Sequence, residues 1–211
     1  MDETMYTAAF WNERYQNAHR LWSGKPNHWL TVETEGLAPG TALDAGCGEG
    51  GDAQWLARRG WLVTAVDTSS IALHRAAANT PDDIADRITW LEADLRDRTT
   101  PAGTFDLVTS HFLHFPGTMR DSLIQRLAGS VAHGGRLLVV GHDASDVHSG
   151  VGRPDHAEVY FDAEELATLL RPDQWRVVTA ESRPRMERMR DRDEEVVVRD
   201  AILHAQRLPA N

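Results

Sequence analysis

The sequence predicts a doubly wound α/β domain: a seven-stranded, mostly parallel sheet with helices on both faces, closed by an antiparallel C-terminal hairpin strand. Three observations predict it. Short apolar runs alternate with helical patterns from residue 42 to residue 141. A glycine cluster, GCGEGG at 46–51, follows the first run and opens the first helix of the core. The last two apolar runs have no helix between them, so they pair as a hairpin rather than through a crossover.

Residues 42–45 are an apolar run stopped by glycines, the first strand. Residues 52–59 place Ala53, Leu56 and Ala57 on one helical face. The second strand, 61–66, is ended by Asp67, and a helix follows over 70–79 with Ser69 or Ser70 as its N-cap. The third strand, 88–93, is ended by Asp94, and the fourth is 105–110. A helix over 118–132 is stopped by Gly134 and Gly135, ahead of a fifth strand at 136–141. Residues 162–170 form a helix with Asp162 as N-cap and Glu165 at its third helical position, a capping-box pattern. The last strands, 175–180 and 196–205, are joined by a charged loop at 183–195. In open α/β sheets ligands bind beyond the carboxyl ends of the strands. That places 44–50, Asp67, Asp94, 110–114 and 142–143 along one rim.

The bulk numbers narrow the class. A chain of 211 residues fits a single domain, and one of that size buries roughly 70% of its unfolded surface. Cys47 is the sole cysteine, so no intrachain disulfide forms. The N-terminus is acidic, without a basic, then apolar, leader pattern. Apolar runs such as 137–140 are far too short to span a bilayer, so a cytoplasmic protein with no membrane partner is expected. Net charge is −10, from 22 basic and 32 acidic residues, which disfavours a nucleic-acid partner because phosphates repel such a surface.

The strongest chemical signal is Leu43-Asp44-Ala45-Gly46-Cys47-Gly48-Glu49-Gly50. Its glycines let the backbone turn tightly and approach a ligand. Asp44 sits where a carboxylate can take an ammonium group, and the following helix N-terminus suits a carboxylate or phosphate. Gly46, Gly48 and Gly51 also satisfy the dinucleotide pattern GxGxxG, which alone is weak. Three features favour S-adenosylmethionine. Asp44 lies where an acid would face a dinucleotide's pyrophosphate to no benefit. Asp94 ends the third strand, where a carboxylate can take the adenine amino group. The chain closes on a hairpin rather than a second nucleotide-binding half. Asp67, at the end of the second strand, fits a carboxylate that holds two ribose hydroxyls.

Asp44-x-Gly46-x-Gly48-x-Gly50 with Asp67 and Asp94 resembles the class I S-adenosylmethionine-dependent methyltransferases, over about residues 41–207. More narrowly, Phe10-Trp11-Asn12-Glu13-Arg14-Tyr15, Trp22-Ser23-Gly24-Lys25-Pro26-Asn27, the stretch 60–67 and the closing hairpin are similar to thiopurine-type and tellurite-resistance-type small-molecule methyltransferases. The resemblance implies a Rossmann-like fold with S-adenosyl-L-methionine as cofactor. It implies methyl transfer to sulfur or another chalcogen, oxygen or nitrogen of a small-molecule acceptor, by a monomer or homodimer. It makes 1–38 a helical lid and 39–211 the cofactor-binding core, with a substrate loop at about 144–160. Trp11, Arg14, Tyr15 and Trp22 are lid candidates, since aromatic faces attract a sulfonium cation. The remaining cofactor contacts expected are Gly46, Cys47, Gly48, Gly50, Thr68, Ala93, Leu95 and Ser110. In tellurite-type relatives an arginine of the hairpin reaches the acceptor. Arg183, Arg185, Arg188, Arg190 and Arg192 crowd that segment here, although interleaved charges commonly mark a solvated tip.

The core motifs specify the cofactor and not the acceptor. Nothing resembles the Asn-Pro-Pro-Tyr signature of amino-methylating nucleic-acid enzymes; Ser110-His111-Phe112-Leu113-His114 stands there instead. An oxygen or amine acceptor needs a general base, and histidine is poised for it near neutral pH. His142 with Asp143 is the first candidate and His111 the second, while His114 is read as packing beside Phe112 and Phe115. His142, Asp143, His148 and His156 fit no tight ligand spacing, so no metal is expected. Two rival functions stand beside methyl transfer: a cofactor-binding protein without catalysis, and a nicotinamide-dependent oxidoreductase.

Overall fold

The computed structural model describes residues 6–97, 103–148, 156–188 and 194–210. Two helices come first, α1 (Ala8–Gln16) and α2 (His28–Glu33). The core then alternates β1 (Thr41–Ala45), α3 (Gly51–Arg58), β2 (Leu62–Asp67), α4 (Ser70–Ala78), the short α5 (Asp82–Ala85) and β3 (Ile88–Glu92). It continues through β4 (Phe105–His111), α6 (Gly117–Gly129), β5 (Val131–His142), α7 (Ala163–Ala167), β6 (Trp175–Arg188) and β7 (Glu195–Arg207). The seven strands form one sheet in the order β3-β2-β1-β4-β5-β7-β6. The first five are parallel, and β7 pairs antiparallel with both β5 and β6. This is the fold class expected from the alternation.

The sheet is covered on both faces. Leu43, Val108, Leu137 and Leu203 pack on one side with Leu123, Ile124 and Leu127 of α6 and Leu166 of α7. Ala42, Leu107, Leu138 and Ile202 pack on the other with Ala53, Leu56 and Ala57 of α3 and Trp29 and Leu30 of α2. Neighbouring residues of each central strand feed opposite layers, which is why these strands read as unbroken apolar runs. The caps hold the helices where the sequence places them. Ser69 Oγ accepts from the Ala72 amide, and Asp162 accepts from the Glu164 and Glu165 amides.

Two boundaries differ from expectation. Gly134 and Gly135 do not stop a helix: α6 ends at Gly129, and the pair lies inside β5. The β4–β5 register slips there, from Phe105 opposite Val131 to Leu107 opposite Arg136. Gly134 takes φ 81°, and a Cβ on Gly135 would stand 2.9 Å from the Ala132 carbonyl oxygen and 3.0 Å from those of Phe105 and Asp106. The glycines are needed for a bulge. The charged segment from Arg183 is likewise not a loop tip. It extends β6 to Arg188, paired with β7 down to Glu195. Because β5 ends at His142 opposite Asp200, this ribbon overhangs the end of the sheet where the ligand rim lies.

The N-terminal segment has two structural roles. The first part, through Trp22, lies against the glycine loop. By contrast, α2 is built into the core: Trp29 and Leu30 are buried. The Trp29 indole N–H donates to Asp200 at 2.9 Å, and Glu33 accepts from Arg183 at 2.6 Å, His204 at 2.8 Å and Thr179 at 3.0 Å. These bonds, His204 first among them, hold the Glu33 carboxyl down at about 2. Among the described residues no helix is long and apolar enough to cross a membrane.

Candidate cofactor site and acceptor wall

The glycine loop turns back over the end of β2: the Gly46 and Cys47 amides both donate to the Val66 carbonyl. Gly46, Gly48 and Gly50 take φ of 82°, 53° and 81°, a region closed to most side chains. The need at Gly48 is also steric. A Cβ there would stand 3.0 Å from the Tyr15 hydroxyl and 3.2 Å from the Trp22 indole nitrogen. No side chain caps α3 after Gly50, and the acid in its first turn is Asp52.

Asp44 is 2% exposed. Its Oδ1 accepts from Thr109 at 3.3 Å, but its Oδ2 has no partner among the described residues. Burial, with Asp52 nearby, pushes its carboxyl up to about 7. An unsatisfied buried carboxylate oxygen is costly in a finished core and suits a site that receives a cation. Asp67 accepts from the Gly48 and Ser69 amides, each at 2.8 Å, and burial raises its pKa. These bonds fix the carboxylate at the strand end beside the loop. Asp94 is gripped by Arg96, which holds its carboxyl below the usual range, and Leu95 beside it is buried. The β2 and β3 ends are tied by the Ala93 amide donating to the Asp67 carbonyl.

The lid candidates divide. Trp22 donates its indole N–H to the Tyr15 hydroxyl at 2.9 Å, and this pair lies directly on Gly48. Glu49 of the loop latches the strap by accepting from the Leu21 and Trp22 amides, while Arg75 pairs with its other oxygen. Asn12 accepts from Ser69 Oγ at 2.6 Å, docking α1 on the start of α4. Trp11 stacks at a tilt on Tyr15. Arg14 is exposed and lies over the Phe10 and Trp11 rings. Thr68 and Cys47 are partly buried at the rim, and burial raises the Cys47 thiol. Ser110 follows Thr109 on β4, so its side chain faces the opposite layer from Asp44.

The histidines also separate. His111 Nδ1–H donates to Asp52 Oδ2 at 2.7 Å, on the Asp44 side of the sheet. His142 stacks on His114, with ring centroids 4.8 Å apart, and lies beside Phe112 at 4.9 Å and Tyr160 at 5.6 Å. The His142–Asp143 pair does not form as a unit: Asp143 Oδ1 accepts the Ser145 amide and hydroxyl, because successive strand residues face opposite ways. Phe112 holds φ 51°, a strained value at the edge of this ring cluster. Arg185 of the overhanging ribbon lies over its ring at 5.9 Å and pairs with Asp200 at 2.5 Å. Arg183 is paired with Glu33 and Glu181. Arg190, Arg192 and the middle of the proposed substrate loop, 149–155, lie outside the described residues, as does the His148 side chain. Sequence reasoning missed Asp52, read only as a helix start, and Asn12 and Thr109. An acid in the first turn after a glycine loop was the available signal for Asp52.

A match to the methyltransferase domain family covers residues 42–135, which include the glycine loop, Asp44, Asp67 and Asp94. Those residues are similar to a methyltransferase domain. The uncharacterized methyltransferase Rv0089 of Mycobacterium tuberculosis is 41% identical over 113 residues, 52% of this chain and 54% of that protein. The 2-heptyl-1-hydroxyquinolin-4(1H)-one methyltransferase of Mycobacteroides abscessus is 29% identical over 126 residues, 58% of this chain and 56% of that one. The chain thus spans about half the length of the curated relatives it matches. The N-methyltransferase NodS of Bradyrhizobium japonicum, solved with S-adenosyl-L-homocysteine, shares the fold with a TM-score of 0.68 at 21% identity, covering 97% of this chain and all of that one. The arrangement suits S-adenosylmethionine: a buried carboxylate with an open oxygen, a second carboxylate at the end of β2, and a glycine loop between them.

Proposed function

We propose that this protein transfers the methyl group of S-adenosylmethionine to a heteroatom (sulfur or another chalcogen, oxygen or nitrogen) of a small-molecule acceptor, as a cytoplasmic monomer or homodimer. The observation that carries the reading is Asp44 Oδ2, buried and unpartnered beside the glycine loop. The cofactor supplies an activated methyl on a sulfonium; the chain supplies grip, orientation and a dry site. Asp44 holds the amino-acid end, Asp67 the ribose, and Tyr15 and Trp22 cover the loop. Ala93, Asp94 and Leu95 line the adenine side.

The acceptor faces the ring cluster of Phe112, His114, His142 and Tyr160. That wall suits a flat aromatic acceptor, in keeping with the hydroxyquinolone named for the M. abscessus relative. His142 is the base for a hydroxyl or amine acceptor. Asp143 acts on the loop that follows, through Ser145, rather than on His142.

The reading is tested by release of S-adenosylhomocysteine against a panel of thiols, selenite, tellurite, phenols, N-hydroxyquinolones and amines. Calorimetry with S-adenosylhomocysteine and NADH accompanies it. Tight binding of NADH alone overturns the reading, and cofactor binding without turnover on any acceptor favours an accessory protein. Two variants refine it. Asp67→Ala should weaken S-adenosylhomocysteine at least tenfold by calorimetry, since it removes a charged acceptor for hydroxyls and loosens the Gly48 turn. His142→Ala should cut turnover about a hundredfold on a hydroxyl acceptor with cofactor affinity unchanged, the size expected of a lost general base. Equal losses in both quantities would move His142 into the cofactor site.

A further inference from the structure

Two buried polar atoms near the glycine loop have open valences, and they belong to residues that meet around the same acid pair. Asp44 Oδ2 is one; His111 Nε2 is the other. Asp44 lies opposite Thr109 in the β1–β4 register, and its Oδ1 accepts the Thr109 hydroxyl, so Thr109 faces Asp44. His111 is two residues further along β4 and shares that face. Its side chain is 5% exposed. Asp52, in the first turn of α3, completes the group: its Oδ1 accepts the Asn27 amide at 2.5 Å, and its Oδ2 accepts His111 Nδ1–H at 2.7 Å.

A carboxylate only accepts, so the imidazole nitrogen facing Asp52 must carry the proton. In the neutral ring the other nitrogen, Nε2, then presents a lone pair. An ammonium group donates three hydrogens and is best held by several acceptors. Asp44 alone has one open oxygen. We propose that His111 is a cofactor-binding residue rather than the general base: Asp52 sets its tautomer, and Nε2 joins Asp44 Oδ2 in accepting the α-ammonium of the cofactor's methionine end. Asp52 is the positioning residue, and because it also bonds the Asn27 amide it ties the N-terminal strap to that acceptor. The inference rests on the cofactor reading above.

The test compares two ligands by calorimetry. S-adenosylhomocysteine carries the α-ammonium; 5′-methylthioadenosine keeps the adenosine and the thioether but lacks the amino-acid end. His111→Ala should weaken S-adenosylhomocysteine roughly tenfold and leave methylthioadenosine unchanged. His111→Gln, which keeps an oxygen acceptor near Nε2, should recover part of the loss. Asp52→Asn should match His111→Ala. With its oxygen kept by the Asn27 amide, its new NH2 donates to Nδ1, which transfers the ring proton to Nε2 and turns the acceptor into a donor. The double variant should lose no more than either single one. Equal weakening of both ligands, or full affinity in Asp52→Asn, overturns the assignment. A fall in turnover with both affinities intact makes His111 the acceptor's base and overturns it too. If the unaltered protein binds neither ligand, the cofactor reading itself fails.

Discussion

Replacing Asp44 with asparagine should make the ligand-free protein more stable while weakening S-adenosylhomocysteine by roughly thirtyfold or more. The two effects have one cause. Asp44 is buried with an oxygen that no group among the described residues satisfies, and its carboxyl is pushed up to about 7 by burial and the neighbouring Asp52. The native state therefore holds this proton more tightly than the unfolded chain, whose carboxyl titrates at its ordinary value near 3.8. Its contribution to stability is fully present below that ordinary value and is lost as pH rises through about 7. An amide removes the dependence, so the midpoint of Asp44→Asn should exceed that of the unaltered protein by more at pH 8 than at pH 5. Binding runs the other way. Removing one member of a buried, hydrogen-bonded charge pair costs about 2–5 kcal/mol, and each ~1.4 kcal/mol is tenfold in affinity. In the unaltered protein, affinity should improve from pH 6 to pH 8 as Asp44 ionises, and Asp44→Asn should flatten that slope. Calorimetry at the three pH values with thermal unfolding checks both halves. An affinity loss under threefold at pH 8 would remove Asp44 from the cofactor site.

Glu33→Ala should lower stability by about 3 kcal/mol at neutral pH. Glu33 has 7% of its side chain exposed and joins α2 to the last two strands through Arg183, His204 and Thr179. Breaking a buried pair by removing one partner strands the other charge, typically at about 3–5 kcal/mol. The lower end applies because Arg183 keeps Glu181 and a quarter of its side-chain surface in water. For a domain of this length that corresponds to a midpoint lower by about 6–12 °C. The sign with pH is opposite to that of Asp44. The Glu33 carboxyl is depressed to about 2, so its contribution is present above the ordinary value of 4.5 and lost as pH falls through about 2. The gap between variant and unaltered protein, followed by circular dichroism, should therefore narrow in acid; a constant gap would mean that lost packing, not the ion pair, is responsible. The same network seats the ribbon that carries Arg185 over Phe112, so turnover should fall in this variant although Glu33 lies away from the rim.

The sheet, its strand alternation and the rim of acids at the strand ends were legible because they rest on local periodicity. Strands that feed both layers appear as apolar runs, a glycine loop must follow β1, and each parallel strand ends on the same side, so Asp44, Asp67 and Asp94 share an edge by topology alone. The helix caps at Ser69 and Asp162 were legible for the same local reason. The bulge at Gly134–Gly135 was not, because a glycine pair that ends a helix and one that offsets two strands look alike until the partner strand is known. The ribbon was misjudged because its charges read as solvent, whereas Arg183 and Arg185 answer acids on α2 and β7 that are remote in sequence.

By itself, then, the sequence determined the class of sheet and the edge along which the acids stand, since each follows from spacing within a few residues. Only the tertiary structure decided the pairings: Tyr15 and Trp22 on Gly48, Asp52 on His111, Asp143 on Ser145 instead of His142, His114 on His142. Such choices depend on which side chains the folded backbone turns toward one another, in some cases across tens of residues. Hydrogen bonds and stacked rings form over a few ångströms, and no periodicity in the chain records that distance.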